Sequence, residues 1–131
     1  GGIAFLNKKQ FTMFYTYEVR AGVDLAKAQI KIDKDSKTVS ITLPAPKIQS
    51  VAVNPDSLRF FDKSDSFFNA ADVEDTKAAM EDAKKKTEAR LDRTQLLKIA
   101  NKQAKDVIER LYEPTAEAGM YTVTVTTTNP K

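Results

Sequence analysis

Two periodicities divide this sequence, and their order along the chain constrains its fold more than any other feature. From Phe11 to Val19 the residues Phe11, Met13, Tyr15, Tyr17 and Val19 fall at alternate positions, the spacing that sends side chains to one face of a β-strand. Between residues 74 and 113 the spacing becomes three and four, as on one face of a helix. After Gly119 alternation returns, with Tyr121, Val123 and Val125 set against threonines. Strands first, helices next and one strand last point to an α+β fold rather than alternating α/β units. The expected architecture is a mostly antiparallel sheet with two helices (or one broken long helix) packed on one face. A C-terminal strand returns to that sheet.

Within the strand region, Gly22 marks a bulge or turn, because it tolerates backbone angles or close packing that a Cβ would block. Ala28–Ile32 and Thr38–Leu43 flank the polar segment 33–37 and read as an antiparallel hairpin. Ile30, Ile32, Val39, Ile41 and Leu43 are expected to face inward. Pro44 and Pro46 interrupt the ladder, since proline has no amide to donate. A further strand runs from Ile48 to Val53, a turn covers 54–57, and Leu58–Phe61 reads as a short edge strand before a second polar turn at 62–65.

In the helical region, Asp72 is a candidate N-cap, with Glu74 and Asp75 in the first turn, where the helix dipole favours negative charge. The stripe over 74–90 is thin: Ala79, Met80, Ala83 and Thr87. The next stripe is stronger, with Leu97, Ala100, Ala104, Val107, Ile108 and Leu111 on one face. Asp92 could cap a second helix, and Pro114 is expected to stop it near Tyr112 or Glu113. No heptad seam is sustained.

A chain of 131 residues fits one domain over 1–131, and 41% hydrophobic against 30% charged residues is enough apolar material for a core. The net charge of +3 is small and dispersed. Its one cationic run, Lys84-Lys85-Lys86, is flanked by Glu81, Asp82 and Glu88, so it reads as a solvated helix face rather than a nucleic-acid patch. No cysteine and no histidine is present. That removes disulfides, thiolate catalysis, cysteine-based metal sites, the commonest general base and the commonest transition-metal ligand. No P-loop, dinucleotide fingerprint, nucleophile elbow or zinc motif occurs. No cofactor, metal or catalytic residue is therefore expected, and the chain is expected not to be an enzyme. No segment is long and apolar enough to span a bilayer. Gly1-Gly2 resembles a cloning scar, so a soluble piece of a longer protein is expected.

A few residues still invite chemistry. Asp33 and Asp35 are spaced like the opening of a calcium loop, but the glycine and distal glutamate of such a loop are missing, which favours a hairpin turn. Asp62 and Asp65 read the same way. The aromatic strand could stack bases, yet its aromatics share their face with Met13 and Val19, which favours core packing. Asp24 is the carboxylate of most interest, lying between Val23 and Leu25 just after Gly22. It either accepts backbone amides in a tight turn or serves as a pocket carboxylate with a perturbed pKa.

Gly22-Val23-Asp24-Leu25, then Leu43-Pro44-Ala45-Pro46-Lys47-Ile48, then the helical run around Leu96-Leu97, Ala100 and Ala104, resemble family 4230 of the domains of unknown function, over about residues 11–125. The resemblance implies a bacterial protein anchored by an N-terminal membrane helix or signal, and hence a place in the cell envelope. It carries no activity, cofactor or catalytic residue. Gly22, Asp24, Pro44 and Pro46 are its candidate motif positions. The region Asp92-Arg93-Thr94 fits it less well. The expected function is a non-enzymatic binding or scaffolding domain at a bacterial membrane, its partner another protein or a second copy rather than nucleic acid. The alternative is a small-molecule or cation-binding domain, or a weak carboxylate-based hydrolase, using Asp24.

Overall fold

The computed structural model describes residues 1–7, 11–62, 67–68 and 76–130. In chain order the elements are β1 (Gly2–Asn7), β2 (Phe11–Gly22), β3 (Gln29–Asp33), β4 (Thr38–Thr42), β5 (Lys47–Val53), β6 (Arg59–Asp62), β7 (Phe67–Phe68), α1 (Thr76–Arg90), α2 (Arg93–Glu117) and β8 (Thr122–Thr126). Short 3-10 turns cover Leu25–Lys27 and Pro55–Ser57. The expected α+β class holds, with mostly antiparallel pairing, two helices and a returning C-terminal strand. The strands form two sheets rather than one. The chain falls into two compact units, Gly1–Arg20 with Ser50–Leu91 and Ala21–Gln49 with Asp92–Lys131. The turns expected at 63–65 and the cap expected at Asp72, with Glu74 and Asp75, lie outside the described residues.

In the first unit the sheet runs β1-β2-β6-β7, and β5 also pairs with β2. Leu6 lies opposite Met13, and Met13 opposite Phe60, so three apolar side chains cross three strands in one row. All three are buried, as are Tyr15, Val53 and Leu58. The expected face of β2 is therefore the core face. Ala79 and Ala83 of α1 join this cluster, their small side chains allowing close approach. The thin stripe is enough because Thr87 is buried with them. Its Oγ1 donates to the Ala83 carbonyl at 2.7 Å, leaving its lone pairs for the Tyr15 hydroxyl, also at 2.7 Å. A buried hydroxyl without a partner is costly, and here each satisfies the other.

One expectation fails in this unit, and one strand lies where none was expected. Leu58–Phe61 is not an edge strand, because β6 lies between β2 and β7. Strand β1 was not anticipated. Ala4 and Leu6 face the core while Ile3 and Phe5 stay exposed, so both faces are apolar and no alternation is visible. Phe5 instead packs on its register partner Phe14, ring centroids 6.1 Å apart.

The second unit holds the sheet β3-β4-β8. The expected hairpin forms, with Ile30 opposite Ile41 and Ile32 opposite Val39. Strand β8 joins β4 in parallel, Val123 opposite Val39 and Val125 opposite Ile41. Ile108 of α2 packs on Val39, Ile41, Leu43 and Val125, and Ala104 lies against the same cluster. Asp92 caps α2 as expected, accepting the Gln95 amide at 3.1 Å.

Several expectations are corrected here. Ile30 and Ile32 are 53% and 62% exposed although they share the face of buried Ile41 and Val39. They sit on an edge strand, and α2 lies over β4 and β8. Val107 and Leu111 are likewise 47% and 68% exposed, not part of the buried stripe. Pro114 does not end α2, which continues to Glu117. A proline there forfeits one amide bond in an exposed last turn, where water can satisfy the freed carbonyl. The helix closes instead at Gly119, whose φ of +70° suits a residue without a Cβ. Its amide bonds the Ala116 carbonyl.

Thr87→Val removes the nearer acceptor of the buried Tyr15 hydroxyl, leaving it the Ala83 carbonyl at 3.4 Å, and should cost about 1–3 kcal/mol. Tyr15→Phe leaves Thr87 bonded to Ala83 and should cost about 1 kcal/mol. Urea unfolding followed by circular dichroism checks both, and the order of the two losses is the informative part.

Candidate functional site

The four motif positions Gly22, Asp24, Pro44 and Pro46 come together in the second unit, where they line one groove of about 830 Å³. Local chemistry places each. Strand β2 ends at Gly22, and an added Cβ there would lie 2.9 Å from the Gln49 amide nitrogen, the end of a flexible side chain. Gly22 thus serves close packing at a strand end. Asp24 caps the 3-10 turn that follows, its Oδ1 accepting the Ala26 amide at 3.1 Å while its carbonyl accepts the Lys27 amide at 3.0 Å. Pro44 and Pro46 follow β4 and keep the segment out of any ladder, and Pro46 is buried.

Residues that the sequence did not mark as site positions complete the groove. Leu97 of α2 is buried, and Val23 and Ile48 are half-buried. Lys27, Lys47 and Arg93 line it as exposed cations, and Asp24 is the lone carboxylate among its lining residues. None of the three cations has an ion-pair partner among the described residues. A volume of this size is in the range of small-molecule sites. Chemically the groove offers an apolar floor, unpaired positive charge and one carboxylate already engaged as a cap. Among the described residues that line it, no second carboxylate stands beside Asp24.

The remaining candidates disperse. Asp33 closes the hairpin turn, its Oδ1 accepting the amides of Asp35 at 3.0 Å and Ser36 at 3.1 Å. These bonds, that from Ser36 foremost, hold its carboxyl below the ordinary aspartate pKa. Both amide bonds converge on Asp33, which fits a turn rather than an ion loop. Asp65 and the Asp62 side chain lie outside the described residues. Lys84, Lys85 and Lys86 are exposed along α1. Met13 and Tyr15 of the aromatic strand are buried, so that face packs the core. Among the described residues no group of three or more potential ligands could hold a metal ion.

Fold and groove together describe an α+β domain with a cationic, apolar-floored cleft. The chain belongs to the family described as a protein of unknown function (DUF4230), whose profile matches residues 1–125. This agrees with the resemblance carried by the motifs at 22–25 and 43–48. No curated protein and no solved structure matches the chain.

Asp24→Ala should cost up to about 1 kcal/mol as the loss of a cap, and Asp24→Asn, which keeps an acceptor, should be near neutral. Differential denaturation of the two variants tests this. Asp33 has a lowered folded pKa, so its stabilisation is fully present above the ordinary aspartate value and fades as pH falls through the lowered one. An acid titration of Asp33→Asn should lack that part of the loss seen in the parent chain.

Proposed function

We propose that this chain is a non-enzymatic scaffolding and binding domain held at a bacterial membrane, and that it scaffolds by pairing with a second copy along β3. The carrying observation is the aliphatic border of the second unit. Every residue of β3 is exposed, and its outer edge has no strand beside it among the described residues. An open edge presents unpaired amides and carbonyls to another chain. Ile30 and Ile32 lie on the face that α2 covers further along the sheet. The opposite flank of α2, with Glu109, Tyr112 and Ala116, borders β8. Helical spacing therefore sets Val107 and Leu111 on the flank toward β3.

The charge pattern of β3 favours a copy of itself. In an antiparallel pair with Ile32 opposite Ile32 of the second copy, Lys31 of each chain faces Asp33 of the other. Opposite charges directly across a strand pair are stabilising. A two-fold axis perpendicular to the sheet keeps both α2 helices on one side. The flanks with Val107 and Leu111 then enclose the isoleucines of both copies. Such an interface is isologous and closes as a dimer. The membrane setting rests on the N-terminal anchor that the family resemblance implies. No helix among the described residues is long and apolar enough to cross a membrane.

Light scattering across a wide concentration range should give twice the 14.6 kDa chain mass. Ile32→Lys and Lys31→Glu should each shift the equilibrium to monomer. A parent chain that stays monomeric throughout overturns self-pairing, and a dimer that survives Ile32→Lys overturns the β3 interface. In cells the full-length protein should sediment with membranes, and recovery in the soluble fraction overturns that part of the reading.

A further inference from the structure

We propose that the groove around Asp24 is a binding site for an amphiphilic anion, an oxyanion head carried on a short apolar chain. This goes beyond self-pairing and does not rest on it, since the groove and the β3 edge use different residues. The lining supplies both halves of such a ligand. Pro46 and Leu97 are buried, and Val23 and Ile48 are half-buried, so the floor and walls are apolar. Lys27, Lys47 and Arg93 add three positive charges to the lining against one negative charge from Asp24. That carboxylate is engaged by the Ala26 amide.

Unpaired cations are ordinary on a surface when they stand alone. Three brought to one concavity from three separate segments raise the local potential and favour an anion there. Arg93 sharpens the point, because it is the first residue of α2, where the helix dipole is already positive. The adjacent cap Asp92 offsets part of that charge, but it is not a lining residue of the groove and its Oδ1 is held by the Gln95 amide. A purely inorganic anion would leave the apolar floor unused, and an uncharged apolar ligand would leave the cations unpaired. A phosphate or carboxylate head with an acyl or alkyl tail uses both. Its source is either a free amphiphile or the head and upper chain of an anionic lipid.

The test uses the 131-residue chain and three probes: octyl phosphate below its micelle concentration, inorganic phosphate, and phosphatidylcholine vesicles with and without phosphatidylglycerol. Octyl phosphate should shift the amide resonances of Val23, Ile48, Arg93 and Leu97 and bind more tightly than inorganic phosphate. The double variant Lys47→Glu/Arg93→Glu should weaken it by about tenfold or more, given two cations replaced beside the head group. Lys84→Glu/Lys85→Glu, with the same net charge but on α1, should bind like the parent. Groove-dependent binding to phosphatidylglycerol vesicles assigns the lipid source, and binding of octyl phosphate alone assigns the free amphiphile. Equal affinity for inorganic phosphate, equal weakening by the α1 variant, or no binding of octyl phosphate overturns the proposal. Ile32→Lys should leave this binding intact, which separates its outcome from that of the dimer.

Discussion

The parallel ladder between β4 and β8 is the interaction on which the second unit depends. It joins residues near 40 to residues near 124, with all of α2 in the connection. The ladder is extended at both ends. The Thr122 amide bonds the Lys37 carbonyl at 2.8 Å, and the Leu43 amide bonds the Thr126 carbonyl at 2.8 Å. The Thr128 hydroxyl also donates to the Leu43 carbonyl. Without β8 the buried faces of Val39, Ile41 and Leu43 would lose Val125, and so would Ile108 of α2. Pairing so distant in sequence closes a long loop before it is rewarded, so this unit's core forms only once its two ends have met.

The first unit solves a different problem. Its helix offers little apolar area, only alanines, a partly buried methionine and a threonine. The Tyr15–Thr87 bond lets a polar residue occupy a core position without an unmet hydrogen bond. Tyrosine contributes ring area to the sheet and a hydroxyl to the helix at once, as such side chains do when one end is apolar and the other polar. Each unit thus keeps one helix on its own sheet by different means, one by close approach and a satisfied polar contact, the other by a broader aliphatic stripe.

Both proposed interactions belong to the second unit, and both arise from incomplete coverage. A three-stranded sheet is wider than the strip one helix shields, so the edge strand keeps its isoleucines in water. Beyond β4, two prolines hold the chain off the sheet and leave a hollow beside the start of α2. The partner proposed for each differs in chemistry. The edge suits a strand with alternating aliphatic and opposite charges, while the groove suits a negative head with a tail.

Most elements were legible because period and punctuation are local. Alternation marked β2, the hairpin and β8. Asp92 marked the start of α2, whereas its end was expected at Pro114 and lies at Glu117. Strand β1 was hidden because both of its faces are apolar, and β6 was misplaced at an edge because nothing in four residues reports how many neighbours a strand has. Pro114 misled because its cost depends on whether the freed carbonyl reaches water. Of the groove, the motif positions 22, 24, 44 and 46 were visible, but that Lys27, Arg93 and Leu97 lie beside them was not, since nothing in their local spacing links them. The sequence by itself determined which segments become strand or helix and which face of each is apolar, because those follow from backbone periodicity. Only the tertiary structure decided which apolar faces are covered and which cations converge, because coverage and convergence are set by neighbours far away in the chain.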